Sequence, residues 1–388
     1  MLSALFEHIP VMIMAVGSLV GIAASLLGTF LVLRKSSMLT DAISHSILLG
    51  IMVVWLLTRQ TSGPLQIIGA GLSGVATVYL SEMLAKSQRV KYDAAIGLVF
   101  PALFAAGVLL TNLYARNVHI DADTVLLGEI GFVWLDTVEI RGLYVPESLL
   151  SMGFLTVINL LFVSLLFKEL KLSTFDPALA RALGFNPNLL FYPLLGLTSA
   201  TAVAAFDAVG AILFIAFVIV PPSAAYLLTD RLWRVLLFSC TIAVASSISG
   251  YYLAVWLDVS IGGMMAVMTG VYFTFAFLFG PRYGLIAQEI RRKNQRLTNR
   301  SRALVVHLYN HERTSLQSEE NVVQALKEHL VWNETKAKRT LLRSLDDHLV
   351  EREGETLYLT AKGRAVAQEI LEPWRQNAAL MTGADEIQ

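Results

Sequence analysis

"AFDAVGAILFIAFVIVPPSAAYLL", residues 205–228, holds one charged side chain, Asp207, in an otherwise apolar run. A helix crosses a bilayer with roughly 20 mostly apolar residues, so this stretch reads as a membrane span. Gly210 follows soon after Asp207, and Pro221 and Pro222 break the far end. Just upstream, residues 189–206 are equally apolar, and Asp207 is almost the only interruption between the two runs. So weak a break predicts that one of the pair is a broken or half-length helix.

Working outward, the same test gives nine spans, at about 10–33, 41–58, 63–84, 94–114, 149–167, 189–206, 208–228, 235–257 and 260–279. The 388 residues are 55% hydrophobic and 15% charged, with a mean hydropathy of +0.60. A soluble domain carries about 25% charge. The fold class expected is an all-α polytopic membrane protein over residues 1–285, followed by a small α+β unit. The formal net charge is zero, so nothing global favours nucleic acid. The lone cysteine, Cys240, excludes an internal disulfide and a cysteine-rich zinc site. Residues 1–9 carry no Lys or Arg, so no signal peptide is expected.

Basic residues gather in every second loop: Arg34 and Lys35, then Lys86, Arg89 and Lys91, then Lys168, Lys171 and Arg181, then Arg231 and Arg234, and finally Arg282 and Arg291 to Lys293. The opposite side shows mainly Arg59, Arg116 and Arg141. Positive loops face the cytoplasm, so the expected topology is an N-terminus outside and a C-terminus in the cytoplasm, across the plasma (inner) membrane.

At about residue 285 the chain turns charged. Residues 286–299 read as a basic linker and 300–378 as a cytoplasmic winged-helix-like domain. Its elements are a helix in "SRALVVHLYN", a second in "NVVQALKEHL", a third after an Asn333 N-cap, a hairpin in "LVEREGETLYLT" and a closing helix in "AKGRAVAQEIL". Residues 379–388 read as a disordered tail.

Four stretches carry chemistry. In "SMLTDAISHSILLGI", residues 37–51, Asp41 and His45 lie four apart, on one helical face. Ionisable groups inside a membrane usually face a cavity or a partner, and carboxylate plus imidazole suits Mn²⁺, Zn²⁺ or Fe²⁺. The plainer alternative is a helix cap at Asp41 and a packed histidine. Ser44 and Ser46 either extend a polar lining or pack helices. "ARNVHIDADTVLLGEIGFVWLD", residues 115–136, puts His119, Asp121, Asp123 and Glu129 on the outer side, as a cation-attracting loop or a merely solvated one. Asp207 belongs to an ion path or caps a helix at the interface. "STFDPALARALGFNPNLL", residues 173–190, is a short amphipathic cytoplasmic segment whose Asp176, Ala180, Ala182 and Gly184 suit close docking or an ordinary connection.

In order and spacing, "VLRKSSMLTDAISHSILLGI", "DADTVLLGEI", "FDPALARALGFNP", "AVGAILFIAFVIVPPSAAYLLTDR" and "IGGMMAVMTGVYFTFAFLFGPRYG" resemble the ABC-3 family over about residues 8–285. These are permease subunits of bacterial ABC importers for manganese, zinc and iron. The resemblance implies a type II importer permease that pairs as a homodimer, with two cytoplasmic ABC ATPase subunits below and an extracytoplasmic metal-binding protein or lipoprotein outside. It makes Asp41 and His45 metal ligands of the path, with His119, Asp121, Asp123 and Asp207 as further candidates. It also makes Asp176, Ala180, Leu183 and Gly184, with the "LLTDRLW" turn, the ATPase-facing surface. No catalytic residue and no resident cofactor are implied, and Mn²⁺, Fe²⁺ or Zn²⁺ is cargo. "VHIDADTVLLGEI" is more similar to the manganese and iron branch. The chain has no Gly-x-x-x-x-Gly-Lys-Ser/Thr phosphate loop, so ATP hydrolysis would fall to another subunit.

"NETKAKRTLLRSLDDHLVEREGETLYLTAKGRAVA", residues 333–367, resembles the winged helix of metal-dependent repressors of the diphtheria-toxin-repressor type. Lys336, Lys338, Arg339 and Arg343 lie where a recognition helix would meet DNA or a protein. Glu334, Asp346, Asp347, Glu351, Glu353 and Glu355 oppose phosphate binding, so a protein-contact or regulatory appendage is expected rather than a nucleic-acid binder. The sequence places no sensor metal site in this unit. Two other readings stay open: a membrane-tethered metal-responsive transcription regulator, and a permease for a metal chelate.

Overall fold

The computed structural model describes residues 9–59, 64–114, 130–140, 143–312, 314–315 and 317–382. It divides into two units, Met1–Leu285 and Ile286–Gln388.

The first unit begins with four long helices, α1 (Ile9–Leu33), α2 (Met38–Thr58), α3 (Pro64–Lys86) and α4 (Tyr92–Tyr114). A 3₁₀ turn at Ile130–Phe132 and a hairpin of β1 (Thr137–Ile140) and β2 (Leu143–Pro146) follow, in the register Thr137↔Pro146. Then come α5 (Glu147–Leu165), the short α6 (Phe167–Phe175) and α7 (Pro177–Ala182), the long α8 (Pro187–Leu228), α9 (Leu232–Leu257) and α10 (Ile261–Phe279). Among the described residues these helices supply nine segments long and apolar enough to cross a membrane, because α8 contributes two, Pro187–Phe206 and Ala208–Leu228.

Lipid is as apolar as leucine, so membrane helices associate through close packing of small residues rather than by burying apolar surface from water. Helix α1 does this at the centre, against α5, α8 and α9. At its crossing with α8, a Cβ on Gly28 would overlap the Val218 carbonyl, and Ser25 Oγ donates to the Phe217 carbonyl at 3.2 Å. Phe30, Phe214 and Phe217 fill the core beside this crossing. A second tight crossing joins α2 to α3, where Gly50 meets the Gly69 carbonyl and Ser73 Oγ donates to the Ser46 carbonyl at 2.5 Å.

The expected break in the 189–228 region lies inside α8. Gly210 has φ 78° and ψ 167°, a conformation that interrupts the helix and that essentially only glycine adopts. Asp207, three residues earlier, is still helical backbone, so the polar residue marks the interruption without being it.

The second unit comprises α11 (Leu285–His311), α12 (Gln317–Glu320), α13 (Ala325–His329), α14 (Glu334–Asp346), the hairpin β3 (Val350–Glu353) and β4 (Thr356–Leu359), and α15 (Ala361–Thr382). Leu304, Val305, Leu308, Leu326, Leu341 and Leu357 form its core. Asn333 caps α14, its Oδ1 accepting from Lys336 N at 3.0 Å. Gly354, with φ 63°, supplies the positive φ of the two-residue hairpin turn.

Three boundaries differ from the sequence reading. The basic stretch 286–299 is helical, the N-terminal part of α11. The second helix is shorter than 321–330, because that backbone pairs with the hairpin instead: Val323 N donates to the Glu355 carbonyl and Leu357 N to the Asn321 carbonyl, at 3.0 and 2.8 Å. The closing helix runs to Thr382 through the strong helix formers Ala378, Ala379 and Leu380, past residue 379 where disorder was expected. Residues 383–388 lie outside the described residues.

Candidate metal path

Asp41 is not a helix cap. Ser37 occupies the N-cap of α2, and Asp41 lies inside the first turn, where the helix dipole favours a carboxylate. One turn on, His45 Nε2 stands 3.5 Å from Asp41 Oδ1. The i, i+4 spacing thus brings carboxylate and imidazole together on one face. The two side chains remain 49% and 34% exposed, respectively.

The face is shaped by α4. The His45 ring stacks on Phe100, with centroids 5.7 Å apart, and meets the edge of Phe104 at 5.8 Å. Pro101 sits inside α4 between them. The two aromatic rings restrict the imidazole, leaving it beside the carboxylate. A half-exposed Asp–His pair turned to hydrocarbon would be costly, so this face calls for a cavity or a second protein surface. One carboxylate and one imidazole could supply only part of a coordination shell, a set that suits a transient stop better than a trap.

Ser44 and Ser46 do not line this face. Both are buried, and their hydroxyls donate to the Thr40 and Ile43 carbonyls of their own helix at 2.7 and 3.0 Å. Of the other candidate ligands, His119, Asp121 and Asp123 lie outside the described residues, as do Glu129 and the Asp207 side chain. Val209, Ala211 and Phe214, close to Gly210 along the chain, are buried. Broken backbone at membrane depth is tolerated where protein or a water-filled cavity surrounds it, so α8 offers a second polar feature of the membrane unit.

A different surface forms around α6 and α7. Asp176 caps α7, Oδ1 accepting from Leu179 N at 2.9 Å, with Pro177 at the first helical position. Gly184, with φ 86°, turns the chain out. Leu183 is exposed, but Ala180 is fully buried, so Ala180 supports this segment from within and does not present a contact surface. The exposed side carries Phe175, Leu179, Phe185 and Leu189 as well, residues that spacing alone did not single out. Arg34 ties the α1–α2 turn to α6, donating from Nη2 to the Ser173 carbonyl at 3.0 Å and lying 4.7 Å over the Phe191 ring. In the turn after α8, Asp230 pairs with Arg282 and accepts from Tyr283 Oη at 2.9 Å. In the second unit, Lys336, Lys338 and Arg339 are exposed on α14, while Arg343 is paired to Asp347 at 2.9 Å.

The ABC 3 transport family matches residues 8–280. A "Zinc transport system membrane protein TroD" of Treponema pallidum is 45% identical over 360 residues, covering 93% of this chain and 98% of that protein. This match necessarily extends well into the second unit. A "Manganese transport system membrane protein MntD" of Bacillus subtilis is 47% identical over 283 residues, covering 73% of this chain and 96% of that protein. Among solved structures, PsaBC from Streptococcus pneumoniae in complex with Fab aligns at a TM-score of 0.61 and 25% identity, over 73% of this chain and 98% of that one. The described residues supply nine membrane-length segments, the second bearing the Asp–His pair, and the family match runs from residue 8 to 280: the chain belongs to the ABC 3 transport family.

Proposed function

We propose that this chain is the membrane permease of an ATP-driven divalent metal importer, and that Asp41 and His45 are ligands on its path. The observation that carries the proposal is the half-exposed Asp41–His45 pair, held 3.5 Å apart on a membrane helix and flanked by Phe100 and Phe104. Relatives named for zinc, manganese and chelated iron transport support metal as the cargo. Carboxylate and imidazole accept any of the three, and we take manganese as the leading cargo.

Two copies would pair so that the exposed face of α2 and α4 borders a shared path, covering Asp41 and His45 from lipid. ATPase subunits would dock on the apolar surface of α6–α7 and on the Asp230–Arg282 turn. A metal-binding protein would deliver the ion from outside. The N-terminus would lie outside, and the second unit in the cytoplasm of a plasma-membrane protein. Its role would be protein contact or regulation, with its likeness to a winged helix as the motive. The exposed Lys336, Lys338 and Arg339 beside acidic neighbours suit a protein partner better than DNA.

The test is uptake of radioactive manganese by cells expressing the assembled transporter, with zinc and iron as competitors. Loss of uptake in Asp41→Ala and His45→Ala at normal protein level is the expected result. Normal uptake in both variants would move the path away from α2.

A further inference from the structure

We infer that the second unit carries a divalent transition-metal site of its own, made by His307, Glu320 and His329. The three residues come from three elements, α11, α12 and α13, and each offers one ligand atom, all within 4.8 Å of one another. This inference goes beyond the transport reading and does not depend on Asp41 or His45.

Three observations point to an ion rather than a surface ion pair. First, the Glu320 side chain is only 18% exposed, with Oε2 buried against His329 Nδ1. A buried carboxylate needs a charged partner or a metal. Second, His307 joins the same spot, its Nε2 at 3.4 Å from the Glu320 carbonyl and its ring 6.0 Å from that of His329. Third, α12 has four residues and α13 five, too short to be stable on their own hydrogen bonds. A shared ion would fasten both to α11.

The donor set names the class of ion. Two imidazoles and one carboxylate favour Zn²⁺ and its first-row neighbours over Mg²⁺ or Ca²⁺, which prefer all-oxygen shells. Tetrahedral bonds of about 2.0–2.2 Å put ligand atoms roughly 3.3 Å apart, so side-chain rotations of about an ångström close the site. Three protein ligands leave a position open. Water fills it, or His311, one turn along α11 with its ring 4.9 Å from that of His307. Exposed His329 gives the ion access.

The experiment uses the full chain in detergent, stripped by chelator, in an Asp41→Ala/His45→Ala background so that this pair contributes nothing. Zn²⁺ binding is counted by equilibrium dialysis, and Co²⁺ serves as the spectroscopic probe. One Zn²⁺ per chain is expected, together with a tetrahedral-type Co²⁺ absorption band. Glu320→Gln and His307→Ala/His329→Ala should weaken binding tenfold or more and abolish the band. Unchanged stoichiometry and spectrum in the double histidine variant would overturn the site. Hydrogen exchange on the unaltered second unit guards against a variant that merely misfolds. Zn²⁺ should slow exchange across residues 304–330, and Zn²⁺ binding without any protection there would equally overturn the inference.

Discussion

Replacing Gly28 with alanine should loosen the crossing that holds the broken helix in place. A Cβ at this position overlaps the Val218 carbonyl, and backbone on both sides leaves nothing that can swing aside. Overpacking of this kind costs about 1–3 kcal/mol. The displacement also strains the bond from Ser25 Oγ to the Phe217 carbonyl, and hydrogen bonds between membrane helices average about 0.6 kcal/mol. Alanine returns up to about 1 kcal/mol in helix propensity. The balance is a loss of roughly 2 kcal/mol, a factor of about 30 in the folded-to-unfolded ratio. Gly270→Ala is the matched control, because a Cβ there meets nothing within 4 Å and only the propensity gain remains. The assay is denaturant titration of the full chain in micelles, followed by loss of the monodisperse peak. Gly28→Ala should unfold first, wild type next and Gly270→Ala last. If Gly28→Ala proves as resistant as Gly270→Ala, the α1–α8 packing described above is wrong.

Gly210→Ala forces a side chain into a backbone region that costs about 1–3 kcal/mol, so metal uptake should fall while membrane insertion persists; full uptake would mean that the break in α8 is dispensable. Leu179→Asp with Leu183→Asp alters two exposed side chains, so stability should change by no more than about 0.5 kcal/mol while co-purification of the ATPase subunit is lost. Asn333→Ala removes the α14 cap and should cost the second unit about 1 kcal/mol, read as faster amide exchange in the first turn of α14.

What the sequence disclosed, and what it hid, follows from the range of the interactions. Membrane spans are local and long, so apolar runs located all nine to within a few residues. The Asp41–His45 pair was legible because i, i+4 spacing is a property of a single helix. Phe100 and Phe104, which flank His45, come from another helix and leave no mark on the spacing around it. The α8 break shows the boundary between the two cases. Asp207 betrayed an interruption, but the backbone turns at Gly210, and a glycine amid apolar residues looks the same whether its φ is negative or positive. Asp176 proves to cap a helix at the exposed segment that spacing had singled out, while the exposed apolar side chains beside it went unnoticed because in a membrane protein apolar residues are the background. The His307, Glu320 and His329 cluster spans three short elements whose packing no periodicity foretells.

The most direct test of the path is a comparison of transport with ATP hydrolysis in proteoliposomes containing the permease and its ATPase. In Asp41→Ala and His45→Ala, manganese accumulation should be abolished while metal-independent ATP hydrolysis stays at the wild-type level, because the substitutions remove the proposed ligands and leave the proposed docking surface on α6–α7 unaltered. Undiminished manganese accumulation in both variants would contradict the assignment of Asp41 and His45 to the path.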